Sequence, residues 1–256
     1  MHFMMILSAL SLAWCLRGGW FRQQGSWATR WQRTLFFFLF PPLLLTMTAV
    51  AVLYMGPRDT IGGQPIGRLS YLLASGFSGL ASIFCLKLAA QGWQSWRQTR
   101  TYPRLKLMSR WVRVLDTPVP FCAQIGFWRP ELVASQGLLN TLDKPHLEAV
   151  FIHEQGHAYY RDTFWFFWLG WVRSYTTWLP NTEALWQELL SLRERRADYW
   201  AAQQVDPLLL AESLLAVVST LPVQTGSCCA AFSLAAPRGR LQERIEALCA
   251  PDLSPP

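Results

Sequence analysis

Over the first hundred residues long apolar runs alternate with short arginine-rich intervals, and beyond Tyr102-Pro103 the pattern breaks into brief mixed segments. The first run covers residues 3–16 and ends at Arg17. A secretory signal carries its positive charge ahead of the apolar core and a small-residue cleavage site behind it. Here the charge follows and Trp14-Cys15-Leu16 offers no such site, so the run predicts a first, short transmembrane helix. Residues 34–55 predict a second, because roughly 22 positions make about 33 Å of helix against a hydrocarbon core of about 30 Å. Pro41-Pro42 should kink it, which membrane helices tolerate. A glycine- and proline-bearing turn at 56–68 leads to a third span, 69–90, where Ser75, Gly76, Ser78 and Gly79 are small enough to admit a neighbouring helix.

After Pro103 the period shortens. Trp111–Leu115 alternates, Phe121–Ile125 follows the turn at Pro118 and Pro120, and Glu131–Ser135 is a third extended piece, which together predict a small sheet. Asp143 is placed to cap a helix with Pro145 in its first turn, running to about Asp162. Residues 164–180 include five consecutive aromatics, Phe164 to Trp168, but also Arg173, and read as an interfacial or partly embedded helix, since tryptophan and tyrosine favour the headgroup level. Asn181 or Thr182 should cap the next helix, which ends before Asp206-Pro207. Pro207–Leu221 predicts an apolar helix too short to span, and Arg238–Leu248 a last amphipathic one. The expected fold is mainly α and integral to a membrane, with a transmembrane region at 1–96 and a membrane-associated domain at 97–256 that carries a small β-sheet.

Composition supports the membrane reading. Apolar residues make up 52% of the 256, charged residues only 15%, and there are 14 tryptophans, a balance foreign to ordinary soluble domains. The net charge of +7 sits on arginines beside apolar runs, so the expected partner is the lipid bilayer and no nucleic acid. Residues 17–33 and 97–113 are rich in cations while 56–68 hold only Arg58 and Arg68 against Asp59. Positive loops stay inside, so the chain is expected to be a multi-pass protein of the plasma membrane with its N-terminus outside and residues beyond 97 on the cytoplasmic side. The six cysteines (Cys15, Cys85, Cys122, Cys228, Cys229 and Cys249) lack C-x-x-C spacing and read as small buried hydrophobes in a reducing compartment.

The chemistry concentrates in His153-Glu154-Gln155-Gly156-His157. On a helix, positions i and i+4 share a face, so both imidazoles can meet one metal ion with Glu154 beside it. With four histidines and nine glutamates in the chain, chance would produce the pattern roughly 0.002 times, which sets coincidence aside. Two imidazoles leave a catalytic zinc short of a third protein ligand. Glu194 is the natural candidate, since Asp198 follows one turn later and can accept the spare N–H of a ligating histidine; Glu183 and Glu188 are its rivals.

These residues resemble the integral-membrane gluzincin peptidases of the BlaR/MecR antibiotic-sensor type, related more distantly to HtpX and the CAAX-prenyl peptidases. The likeness spans roughly 100–250. It rests on Gly126-Phe127-Trp128-Arg129-Pro130, on Val133 to Leu139, and on Leu147-Glu148-Ala149-Val150 leading into the metal motif. It continues through Arg161-Asp162, Arg193-Glu194, Ala197-Asp198 and Arg244-Ile245. It implies one zinc ion on His153, His157 and Glu194, with Glu154 as the catalytic base and a small sheet beside the metal helix whose edge holds an extended substrate. Unlike the sensors, the sequence stops at Pro256 and no penicillin-binding domain is expected to follow, so direct antibiotic sensing is not expected.

The expected activity is hydrolysis of peptide bonds in a cytosolic or membrane protein, with a transcriptional repressor in a signal-transduction pathway as candidate substrate. Quality control of membrane proteins in the manner of HtpX, and a non-hydrolytic zinc scaffold, are the alternatives. A structural zinc needs no base, so Glu154 argues against the scaffold. The group that stabilises the oxyanion is open among Tyr159, Arg240 and Arg244; His2 and His146 read as ordinary packing or surface residues.

Overall fold

A computed structural model describes residues 2–21, 25–56, 66–219 and 238–249. The turn at 57–65, the end of the helix expected to reach Leu221, Cys228, Cys229 and the Arg240 side chain lie outside them. Helices dominate. They are α1 (His2–Gly18), α2 (Trp27–Met55), α3 (Ile66–Thr101), α4 (Gln136–Thr141), α5 (Lys144–Tyr159), α6 (Asp162–Tyr175), α7 (Thr182–Ala202), α8 (Pro207–Ser219) and α9 (Arg238–Cys249), with strands β1 (Arg104–Leu107), β2 (Arg110–Leu115), β3 (Cys122–Ile125) and β4 (Glu131–Ser135) between α3 and α4. The chain divides into two units, residues 1–89 with 168–189, and 90–167 with 190–256.

In the first unit α2 and α3 are long and apolar enough to cross a membrane, whereas α1 is apolar but only 17 residues long. Small side chains let α1 and α2 approach: Ala9 and Ala13 of α1 are buried with Leu45 of α2. Pro42 has no N–H to give the Phe38 carbonyl one turn earlier. Arg17, fully buried, makes good that loss, its Nη2 donating to Phe38 O at 3.0 Å while Nη1 donates to the Thr182 hydroxyl at 3.1 Å. Asn181, at φ 56°, starts α7: its carbonyl accepts from Leu185 N at 2.9 Å and its side-chain amide donates to Arg17 O at 2.8 Å.

The second unit is built on a four-stranded sheet in the order β1-β2-β4-β3, antiparallel except for β2 with β4. One face of the sheet meets the helices, burying Val112, Cys122, Leu132 and Ala134 with Leu147, Val150 and Phe151 of α5. β1 is the strand not foreseen from sequence: Arg104, Leu105 and Lys106 are all exposed, so it lacks the alternating burial that marks its neighbour β2. Two sequence motifs serve the sheet. Ser135 Oγ accepts from Phe121 N at 2.8 Å and from Leu138 N at 3.1 Å, tying β4 to the approach of β3 and capping α4. Gly137 sits so close to Pro118 that a Cβ there would lie 2.0 Å from its carbonyl oxygen.

The cysteines depart from expectation. Cys122 is buried, Cys85 is half-buried, and Cys15 and Cys249 are exposed; all four are free thiols. Cys15 lies on an outward face of α1 and Cys249 at the end of α9, so neither is packed as a core hydrophobe.

Candidate metal centre

Asp143 opens α5 as its cap, accepting from His146 N at 3.1 Å. The helix stops three residues sooner than the sequence suggests, because Arg161 takes a left-handed conformation at φ 54° and α6 starts afresh at Asp162. Ala149, Ile152, His153, Gly156 and His157 fall on buried positions of α5. Gly156 is the point of closest approach to α7, where an added Cβ would meet Ala197 Cα and Trp200 Cε3, each at 3.3 Å. The glycine inside the motif and the small alanine before Asp198 thus have one role: with no side chain on Gly156 and only a methyl on Ala197 the two helices close up, and Glu194, one turn before Asp198, arrives opposite the histidines.

His153, His157 and Glu194 form a buried group whose ligand atoms all lie within 4.8 Å of one another and could hold a metal ion. His153 Nε2 is 3.5 Å from Glu194 Oε2, and His157 Nε2 is 3.6 Å from Glu194 Oε1. These separations are too long for good hydrogen bonds. They match two donors on one tetrahedral zinc, since bonds of about 2.1 Å give an edge of about 3.4 Å. The far nitrogens are turned away and held: His157 Nδ1 donates to Asp162 Oδ2 at 2.7 Å, and His153 Nδ1 lies 2.9 Å from Asp198 Oδ1, off-line for a hydrogen bond but at ion-pair distance. Such carboxylate partners set the tautomer that leaves Nε2 for a metal.

Three arginines complete the cluster. Arg193 donates through Nε and Nη2 to Glu194 Oε1 at 3.0 and 2.7 Å, Arg196 binds Asp162, and Arg244 grips Asp198 with two 2.7 Å hydrogen bonds. Burial opposes ionisation of Glu194 and Asp198, yet the charge of Arg193 holds Glu194 well below the usual carboxylate range and that of Arg244 holds Asp198 below it. Burial also opposes charging the imidazoles. For His157 the charge of Glu194 and the Asp162 hydrogen bond outweigh it and raise the ring to about 10, and for His153 the nearby carboxylates of Asp198 and Glu194 raise it too. The site therefore attracts positive charge.

Glu154 behaves differently. It is 6% exposed, burial raises its pKa, and its Oε2 has no hydrogen-bond partner among the described residues. β3 lies close by: burial and the charge of Glu154 together push the Cys122 thiol well up.

Glu183 and Glu188, the rival third ligands, are engaged elsewhere, with Arg173 and Arg30 respectively. Tyr159 is 67% exposed and stacks on Trp200, and Arg244 is committed to Asp198; neither points to an oxyanion. Asp162 and Arg193 were not assigned roles from sequence. An acid placed just past the second histidine, after a helix end, is the signal that would have found Asp162. No family model, curated protein or solved structure matches the chain, so the centre is read from its own donors.

Proposed function

We propose that this chain is a membrane-embedded zinc metalloendopeptidase of the BlaR/MecR gluzincin type, acting on the cytoplasmic side of the plasma membrane. The observation that carries the reading is the pairing of a buried His153, His157 and Glu194 donor set with an adjacent carboxylate, Glu154, that has an oxygen left over. A structural metal centre has no use for that second acid. His153, His157 and Glu194 would hold the zinc ion, which when bound would supply Lewis acidity to lower the pKa of a water and polarise a carbonyl. Glu154, its proton affinity raised by burial, takes the proton of the attacking water and hands it to the leaving amine. Asp162 and Asp198 hold the two rings in register during that transfer. β3 pairs on one side with β4 and has no strand on its other side among the described residues, so an extended substrate segment can add there by main-chain hydrogen bonds.

Membrane insertion is supported by how little of the apolar helices is covered. Only 33% of the most apolar window of α2 and 17% of that of α3 is buried, the reverse of core helices in a soluble protein. Leu43, Met47, Leu72, Ile83 and Leu86 stand exposed, and lipid is the solvent that makes such a surface stable. The site residues are only 4–6% exposed, as buried metal ligands are, and a repressor protein is the candidate substrate. The test is cleavage of candidate proteins in cells expressing wild type or Glu154→Gln. Loss of cleavage by a factor of about 10² to 10⁴ with zinc retained supports the peptidase; unchanged cleavage removes Glu154 from the chemistry.

A further inference from the structure

We infer that α9 conditions the metal site: its Arg244 is a positioning residue that holds Asp198, and through it His153, so that metal occupancy and docking of α9 are coupled. The inference rests on the zinc reading above and deepens it. α9 is anchored by Leu248, buried in one cluster with Ala149 and Ile152 of α5, Ala201 of α7 and Leu210 of α8, with Ile245 packed against them. One turn before Leu248, Arg244 is 7% exposed. Its Nε donates to Asp198 Oδ2 and its Nη2 to Asp198 Oδ1, both at 2.7 Å, while Nη1 lies 3.4 Å from Glu194 Oε2.

A planar guanidinium gripping both carboxylate oxygens leaves that carboxylate little freedom to turn. The oxygen so fixed, Asp198 Oδ1, is the one 2.9 Å from His153 Nδ1. The chain of contacts therefore runs from α9 to a metal donor in two steps, and its third contact steadies the Glu194 ligand as well. Charge points the same way. Glu154, Asp162, Glu194 and Asp198 are all buried within the cluster, and Arg244 is the guanidinium shared between Asp198 and Glu194. Taking it away leaves the buried Asp198 short of its cation, while Glu194 keeps Arg193; the unpaired Asp198 carboxylate is a costly state that it relieves by moving. His157 has its own support in Asp162 and Arg196, so the loss falls on the His153 side. Coupling is reciprocal: if Arg244 favours metal binding, zinc favours a docked α9.

The experiment uses the full-length chain in detergent and zinc itself as the ligand. Zinc affinity is measured by chelator competition for wild type, Arg244→Gln, Arg244→Lys, Asp198→Asn and the double variant, and hydrogen exchange of 238–249 is followed with and without zinc. Arg244→Gln should bind zinc about 10- to 100-fold more weakly. Arg244→Lys should recover part of the loss, having the charge without the fork, and the double variant should be little worse than its weaker parent. Zinc should slow exchange in α9 of the wild type but not of Arg244→Gln. A role in the fold alone would show no such coupling, and full additivity of the two single losses, or wild-type affinity in Arg244→Gln, overturns the proposal while the zinc reading stands. A wild type that takes up no zinc sinks both. Should Arg244→Gln fail to fold, exchange in wild-type α9 that ignores zinc is sufficient to overturn it.

Discussion

Gly156→Ala tests whether helix contact sets the spacing of the metal donors. In a helix interior alanine is favoured over glycine by about 1 kcal/mol. Against that, the new Cβ would lie 3.3 Å from Ala197 Cα and from Trp200 Cε3, so α7 must give by a few tenths of an ångström; such overpacking costs about 1–3 kcal/mol. The two effects nearly offset, and global stability should fall by no more than about 2 kcal/mol. The metal site has less room. Its donor separations are already 3.5 and 3.6 Å, and widening them to roughly 3.8 Å would require bonds of about 2.3 Å where zinc–nitrogen bonds are about 2.0–2.1 Å. Zinc affinity should therefore drop at least about tenfold, the equivalent of about 1.4 kcal/mol. Gly92→Ala is the control, since a Cβ there meets nothing within 4 Å, and it should leave zinc binding unchanged. The assays are chelator competition and thermal unfolding of the same detergent samples. A Gly156→Ala protein with wild-type zinc affinity would refute the idea that the approach of α5 to α7 sets the site.

Zinc uptake should expel protons. In the metal-free protein His157 is raised to about 10 and His153 is raised as well, so below those values binding must displace a proton from each ring, and apparent affinity should weaken as pH falls; a weakly buffered titration that shows no acidification on zinc addition would contradict this. Asp162→Asn keeps the shape but loses the anion that orients His157, and should weaken zinc binding about 10- to 100-fold, read by the same competition. In intact cells, on a background lacking the native cysteines, Thr60→Cys should react with an impermeant thiol reagent; reaction only after lysis would reverse the topology.

The parts of this molecule that obey a period were legible in the chain. The apolar runs became α1, α2 and α3, the three extended pieces became β2, β3 and β4, and the i, i+4 spacing of His153 and His157 put both rings on one buried face. Glu194 was separable from Glu183 and Glu188 only by Asp198 one turn on, and the structure places both beside His153. What stayed hidden depends on contacts between distant segments. β1 is an exposed edge strand with no burial pattern to betray it. Residues 168–189 cluster with the N-terminal helices through bonds such as Trp171 Nε1 to Ala81 O, which no local pattern announces. Arg244 is one of three oxyanion candidates by sequence, and its two hydrogen bonds to Asp198, made possible by the packing of Leu248 and Ile245, are visible only in the fold.

The central claim is that His153, His157 and Glu194 together hold one zinc ion. Metal content of the purified full-length protein, determined by mass spectrometry, tests it most directly. About one zinc per chain is expected for the wild type and for Glu154→Gln, a loss of zinc for His153→Ala and for His157→Ala, and a weakened hold for Glu194→Gln. Full zinc content in both histidine variants would contradict the account.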